Sequence, residues 1–307
     1  MPTGFLSHQD CLRHEMGGFH PESPERVQAI EDQLILSRID GFLRYIDPPL
    51  ATEEQLALVH SREHIEFVKS HVPVTGHYEV DGDTSMNPHT WQAALRSAGG
   101  AIAAVDAVMA GEVRNAFCCL RPPGHHAEPT KAMGFCFFNN VAIAASYAMQ
   151  KYKLKRVAIV DFDVHHGNGT EAAFLDNPNV LMCSFFQHPF YPYSGSEVAK
   201  NHMVNLPVSA YTTGMEIREL VDVAWLPKIR EFKPEFIFIS AGFDAHREDD
   251  MGQLGLVEAD YAWITRQLMM MAKEYSKGRI VSCLEGGYNL SALARSVVAH
   301  IKELAEI

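Results

Sequence analysis

Residues 156–170 read RVAIVDFDVHHGNGT. The first six, Arg156–Asp161, are mostly aliphatic with a charge at each end, the pattern of a strand buried on both faces. The next nine abruptly change character: Asp163, His165, His166 and Asn168 are interleaved with glycine. An apolar strand running into ionisable residues is how a parallel sheet presents reactive groups, outside the carboxyl ends of its strands. Four further runs read the same way: Ala116–Leu120, Val180–Phe185, Glu235–Ser240 and Arg279–Leu284. Between them lie helical stretches at Thr90–Met109, Asn140–Tyr152, Thr213–Phe232, Glu258–Ser276 and Ser291–Ile307. Such alternation predicts an α/β fold, a parallel sheet with helices on both faces.

The strand ends test that prediction. After 116–120 comes RPPGHH, ending in His125 and His126. The 156–161 strand leads to Asp163 and His165. After 235–240 comes AGFDAH, with Asp244 and His246. After 279–284 comes EGGYN, with Tyr288. Four loops rich in polar groups and glycine, all at one sheet edge, imply one shared site.

The chain has 307 residues, 47% of them hydrophobic, with no repeat or low-complexity linker, and is read as one domain over 1–307. Lys and Arg number 26 against 38 Asp and Glu, a formal charge of −12. A nucleic-acid backbone is not an expected partner for that balance. The densest basic cluster, Lys151, Lys153, Lys155 and Arg156, reads as a solvated helix end. The start lacks a basic and apolar leader, no run is long enough for a membrane span, and the six cysteines form no Cys-x-x-Cys pair. A cytoplasmic protein with reduced thiols is expected.

The residue types define the chemistry. Asp163 and His165, two apart in an extended segment, share a face. With a third ligand they suit a borderline divalent metal such as zinc, and Asp244 is the natural candidate. Taken alone, the pair reads more readily as a structural hydrogen bond, and the other three loops reverse that. Either member of His125-His126 could act as a general base and then a general acid. Asp161 and Asn168 are the expected partners, the carboxylate keeping its histidine more cationic than the amide does. Alone, the two are simply turn histidines. Tyr288, behind Gly286-Gly287, could donate to an oxyanion or pack against the sheet. Gly134-Phe135 and Phe190-Tyr191-Pro192 supply apolar walls.

RPPGHH at 121–126, GFCFFNN at 134–140, DFDVHHGNGT at 161–170, SAGFDAH at 240–246, LEGGYNL at 284–290 and HPESPER at 20–26 together resemble the histone deacetylase family. Asn168 and the LEGGYNL spelling are similar to the class II branch and its bacterial relatives. The resemblance implies an arginase–deacetylase fold, an eight-stranded parallel sheet between helices. It implies one zinc ion on Asp163, His165 and Asp244, His126 as general base and acid, His125 paired with Asp161 as electrostatic support, and Tyr288 polarising the scissile carbonyl. Phe135 and Tyr191 would flank an acyl-lysine tunnel, tyrosine standing where the family usually has phenylalanine. Asp83 would lie at the mouth and Arg26 at the inner end. One potassium ion would use Asp161, Asp163, His165, Ser184 and Phe185, and a second Phe174, Asn177 and Val180.

The implied substrates are acyl-lysine in a protein or peptide, or acetylated polyamines. Met251 aligns with the acidic gate of polyamine-selective relatives and argues against the simplest form of that selectivity, although Glu248, Asp249 and Asp250 lie close by. A dinuclear manganese hydrolase would need carboxylates where Gly167 and His246 stand. A non-catalytic acyl-binding descendant would be expected to have lost the tyrosine, a ligand or the histidine pair.

Overall fold

The computed structural model describes residues 1–197 and 200–307. Its ten strands are β1 (Thr3–Leu6), β2 (Leu43–Tyr45), β3 (Tyr78–Glu79), β4 (Ser85–Met86), β5 (Asn115–Cys118), β6 (Val157–Asp161), β7 (Val180–Gln187), β8 (Met203–Val208), β9 (Phe236–Ala241) and β10 (Ile280–Leu284). Eight form one sheet in the order β2-β1-β5-β10-β9-β6-β7-β8, and β3 and β4 make a small separate hairpin. Every pair in the large sheet is parallel. The expected α/β class and eight-stranded parallel sheet are what the chain forms.

Side-chain parity explains why these strands look apolar throughout. Ala158, Val160, Ile237 and Ile239 face one layer; Val157, Ile159, Phe236 and Phe238 face the other. The first layer holds Val27 and Ile30 of helix Glu25–Leu36, Ile264 and Leu268 of Glu258–Tyr275, and Val297 and Ile301 of Leu290–Ala305. The second is finer grained: alanines of Thr90–Met109 and Asn140–Tyr152 let those helices lie close to the sheet. Burying each Ile, Leu or Phe contributes roughly 1.5–3 kcal/mol, so both faces are held strongly. No helix among the described residues is long and apolar enough to cross a membrane.

Three strands of the large sheet, and both of the small hairpin, escape a reading of the apolar runs. β1 and β2 span four and three residues, and β8 is a partly exposed edge strand carrying Pro207. The expected helix 213–232 is interrupted. It runs over Gly214–Leu220, widens into a π turn at Val221–Trp225 where the Leu226 N–H donates to the Val221 carbonyl, and resumes at Leu226–Phe232. Pro227, with no N–H to donate, sits just past the widened turn.

Register brings the loops to a common height. Asp161, the last residue of β6, pairs with Ser240 of β9 and Ser184 of β7, and Ser240 pairs with Cys283 of β10. The chain leaves β5, β10, β9, β6 and β7, five consecutive strands, at the same edge. Two asparagines convert that edge back into helix: Asn139 accepts from Ala142 N and Asn289 from Ala292 N.

Candidate active site

The loops after β6 and β9 bring Asp163, His165 and Asp244 together. His165 Nδ1 lies 3.0 Å from Asp163 Oδ1 and 3.2 Å from Asp244 Oδ2. One donor atom from each residue falls within 4.8 Å of the other two. Asp163 and Asp244 are fully buried, and Asp244 Oδ2 has no hydrogen-bond partner among the described residues. An orphaned carboxylate oxygen beside a second buried carboxylate calls for a cation. Burial and the Asp163 charge push the Asp244 carboxyl up to about 7. Burial works against a charged His165, but the adjoining Asp163 and Asp244 carboxylates raise it to about 9. The trio therefore attracts positive charge, and two carboxylates with an imidazole form a donor set that zinc accepts. The backbone is shaped around it. A Cβ at Gly286 would overlap Asp244 Oδ2 and stand 2.6 Å from Asp163 Oδ2.

The β5 loop contributes the two histidines, with ring centroids 4.0 Å apart. His125 Nδ1 lies 3.0 Å from Asp161 Oδ2, and His126 Nδ1 lies 2.8 Å from Asn168 Oδ1. Burial would lower both. Asp163 and Asp161 overcome it at His125 and hold that ring well above the ordinary histidine value. His126 has no such partner, so burial and the positive His125 keep it well below. Two adjacent histidines thus divide into a cationic and a neutral ring. Gly134 packs on the neutral one with φ +56°, and a Cβ there would stand 2.5 Å from the ring.

A cavity of about 240 Å³ opens above these groups. His126, His165 and Tyr288 line its inner part; Gly134, Phe135, Phe190 and Tyr191 form its walls; Asp83, Asp250 and Met251 border it as well. Phe190 stacks on His165 at 5.4 Å, and Tyr191 meets His126 edge-on at 5.2 Å. Burial, only partly offset by Arg26, pushes the Tyr288 phenol well above its usual range, so it is a donor near neutrality. The Thr84 hydroxyl donates to Asp83 Oδ1 and accepts from Phe135 N, joining rim to wall.

Arg26 is fully buried behind this cavity. Its guanidinium lies 4.9 Å from the Tyr288 ring centre, and it donates to the carbonyls of Gly287 and Glu285. Of the residues expected to hold potassium, Ser184 lies beside Asp161 in register, with its buried hydroxyl unpartnered among the described residues. Phe174, Asn177 and Val180 share the turn before β7, where Asn177 N donates to Phe174 O and Val180 N to Asn177 O.

Several supporting residues carry no obvious sequence signal. Glu285 accepts from Gly124 N, His125 N and Ser240 Oγ, fixing the histidine loop. Asp249 accepts from Tyr288 N and Asn289 N through one oxygen and from Met251 N through the other. Glu22 joins the buried Arg26 and Arg121. Glu22 and Glu285 fall inside quoted motifs, and that is the only hint the sequence offers.

Comparison with known proteins identifies the family. The histone deacetylase domain family matches residues 20–304. A probable deacetylase of Archaeoglobus fulgidus is 37% identical over 301 residues, covering 94% of this chain and 82% of the relative. Histone deacetylase clr3 of Schizosaccharomyces pombe is 38% identical over 317 residues, covering 94% of this chain and 45% of the relative. The crystal structure of the HDA15 HD domain superposes with a TM-score of 0.94 at 34% identity, covering 100% of this chain and 90% of that one. With a family match over nearly its full length, and with strand-end loops converging on one buried Asp-His-Asp trio, the chain belongs to the histone deacetylase family.

Proposed function

We propose that the protein is a zinc-dependent amidohydrolase that removes an acetyl or other acyl group from the side-chain amine of lysine in a protein or peptide. The observation that carries this reading is the Asp163–His165–Asp244 trio opening onto the cavity that also displays His126 and Tyr288. A zinc ion on that trio supplies Lewis acidity toward the acyl oxygen and the attacking water. His126, neutral and bonded through Nδ1 to Asn168, takes a proton from that water at Nε2. The water oxygen bonds to the acyl carbon, and Tyr288 donates its O–H to the oxygen that gains negative charge. His125, held cationic by Asp161, adds positive charge beside the reacting centre. His126 returns its proton to the departing nitrogen as the C–N bond breaks, and a carboxylic acid and an amine result, which exchange a proton to leave as carboxylate and ammonium. Phe135, Tyr191 and Gly134 suit an extended aliphatic chain and exclude water from it.

Acetylated polyamine is the second reading. It is favoured by Asp83 and Asp250 at the cavity and by the −12 charge, both attractive to a polycation. Potassium is assigned to Asp161, Asp163, His165, Ser184 and Phe185, supported by the unpartnered Ser184 hydroxyl, and to Phe174, Asn177 and Val180. A reducing, cytoplasmic setting is supported by six buried cysteines that are all free thiols.

The test is turnover of acetyl-lysine peptide, longer acyl-lysine peptide and acetylated polyamines, with and without a zinc chelator. Peptide hydrolysis that stops with chelator and returns with zinc is expected. Chelator-insensitive hydrolysis overturns the metal assignment, faster polyamine turnover favours the second reading, and no hydrolysis at all leaves an acyl-binding protein.

A further inference from the structure

We propose that Glu128 is a positioning residue that sets which nitrogen of His126 carries the proton. The proposal deepens the hydrolase reading and rests on it for the role of His126. The Asn168 amide lies between the two: Oδ1 is 2.8 Å from His126 Nδ1, and Nδ2 is 2.8 Å from Glu128 Oε1. A carboxylate only accepts hydrogen bonds, so the amide must turn its NH2 toward Glu128. Its oxygen must then face the imidazole, and that oxygen also only accepts. His126 therefore carries hydrogen on Nδ1, and Nε2 keeps the lone pair a base needs. The other acceptors near Nδ2 are longer contacts, to the weakly accepting Met133 Sδ at 3.4 Å and to the His126 carbonyl at 3.5 Å.

His125 shows why a third residue is needed. Its partner Asp161 is itself accept-only, so hydrogen on Nδ1 is fixed without a third residue. An asparagine is nearly symmetric in shape. Turned over, it would present N–H to Nδ1 and force the proton onto Nε2, which could then accept nothing. Glu128 removes that ambiguity from a partly exposed position. Its backbone is secured separately, by Glu128 N to Lys131 O and by His60 Nδ1 at the Glu128 carbonyl. A change confined to the side chain therefore leaves the loop in place.

The variant is Glu128→Gln, which preserves size but offers an amide able to donate or accept. Two readouts are needed. In histidine-labelled protein, ring 15N NMR reports the tautomer, with the His126 signals identified by their loss in His126→Ala. Wild type should show hydrogen on Nδ1, and Glu128→Gln should show a mixture. On acetyl-lysine peptide, kcat should fall about five- to tenfold with KM and bound zinc unchanged. In an Asn168→Asp background the residue at 168 can only accept, so adding Glu128→Gln should cause no further loss. An unchanged His126 tautomer in Glu128→Gln overturns the proposal even if activity falls. Absence of hydrolysis in wild type sinks the hydrolase reading alone, because the NMR comparison still decides the tautomer.

Discussion

Glu22 is the place where one atom pair carries the most weight. Its carboxylate is fully buried between two fully buried guanidinium groups. Oε1 accepts from Arg26 at 3.0 Å and also from Arg121 Nε, and Oε2 accepts from Arg121 at 2.7 Å. Burial opposes the charge, but the two arginines win and hold Glu22 at about 2. Glu22→Gln keeps the shape and removes the charge, leaving two cations facing one another out of water. Breaking a buried pair from one side costs about 3–5 kcal/mol. For a chain of this length the unfolding entropy is about 0.6 kcal/mol/K, so the melting temperature should drop by about 5–8 °C at pH 7. Because the folded pKa lies below the unfolded value, the contribution is complete above pH ~4.5 and is lost as pH falls toward 2. Calorimetry on wild type and variant at pH 7 and pH 3.5 should therefore show a gap that narrows in acid. Activity should fall too, since Arg26 braces the Gly287 and Glu285 carbonyls next to Tyr288. A shift below about 1 °C at pH 7, or a gap that widens in acid, refutes the assignment of this cluster as mutual charge compensation.

Tyr288→Phe removes the proposed donor to the oxyanion. Turnover should drop by about 10²–10³ with metal content unchanged, and zinc loss measured by elemental analysis would contradict that role. Gly286→Ala places a methyl group into Asp244 Oδ2, so zinc content should fall well below one per chain and activity with it; a fully loaded, active variant would show that the loop yields freely. His300 is buried, its Nδ1 2.6 Å from Thr265 Oγ1 and its Nε2 2.9 Å from Ser282 Oγ, and burial lowers it to about 3. Only the unfolded chain protonates there between pH 6.5 and 3, so stability is full above 6.5 and falls below it, by about 2–3 kcal/mol at pH 4.5. Denaturant titrations should show a flatter acid profile for His300→Gln, and identical profiles would exclude His300 as a source of acid sensitivity.

The central strands were legible because burial on both faces leaves an unbroken apolar run, as in Val157–Val160 and Phe236–Ile239. β2 and β8 were not: β2 is only three residues long, and β8 is a partly exposed edge strand carrying Pro207. The 213–232 helix is interrupted by a π turn just before Pro227, which local propensity does not announce. At the site, Asp163, His165, Asp244, the histidine pair and Tyr288 stood out because each interrupts an apolar strand end beside glycine. Glu22, Glu128, Asp249 and Glu285 did not, because what each does depends on partners far along the chain. Glu22 meets Arg121 across 99 residues and Glu285 meets His125 across 160. No pattern of neighbours encodes such a meeting; the sheet order does.

That order also explains the glycines at the site. β5, which supplies the histidines, and β6, which supplies Asp161 and Asp163, are not neighbours: β10 and β9 run between them. At about 4.8 Å per strand the two loops start roughly 14 Å apart. Side chains from both must meet above the ends of β10 and β9, so those two ends must stay low. Gly286 follows β10 and Gly242 follows β9, and a Cβ at either would run into the Asp163 carboxylate. The same geometry makes Gly286 N free to donate to Asp163 Oδ2 at 2.9 Å, so the backbone that makes room also fixes the ligand's orientation. A site spanning four parallel strands thus requires two bare positions in the middle and polar side chains reaching in from the flanks, and the sequence carries both.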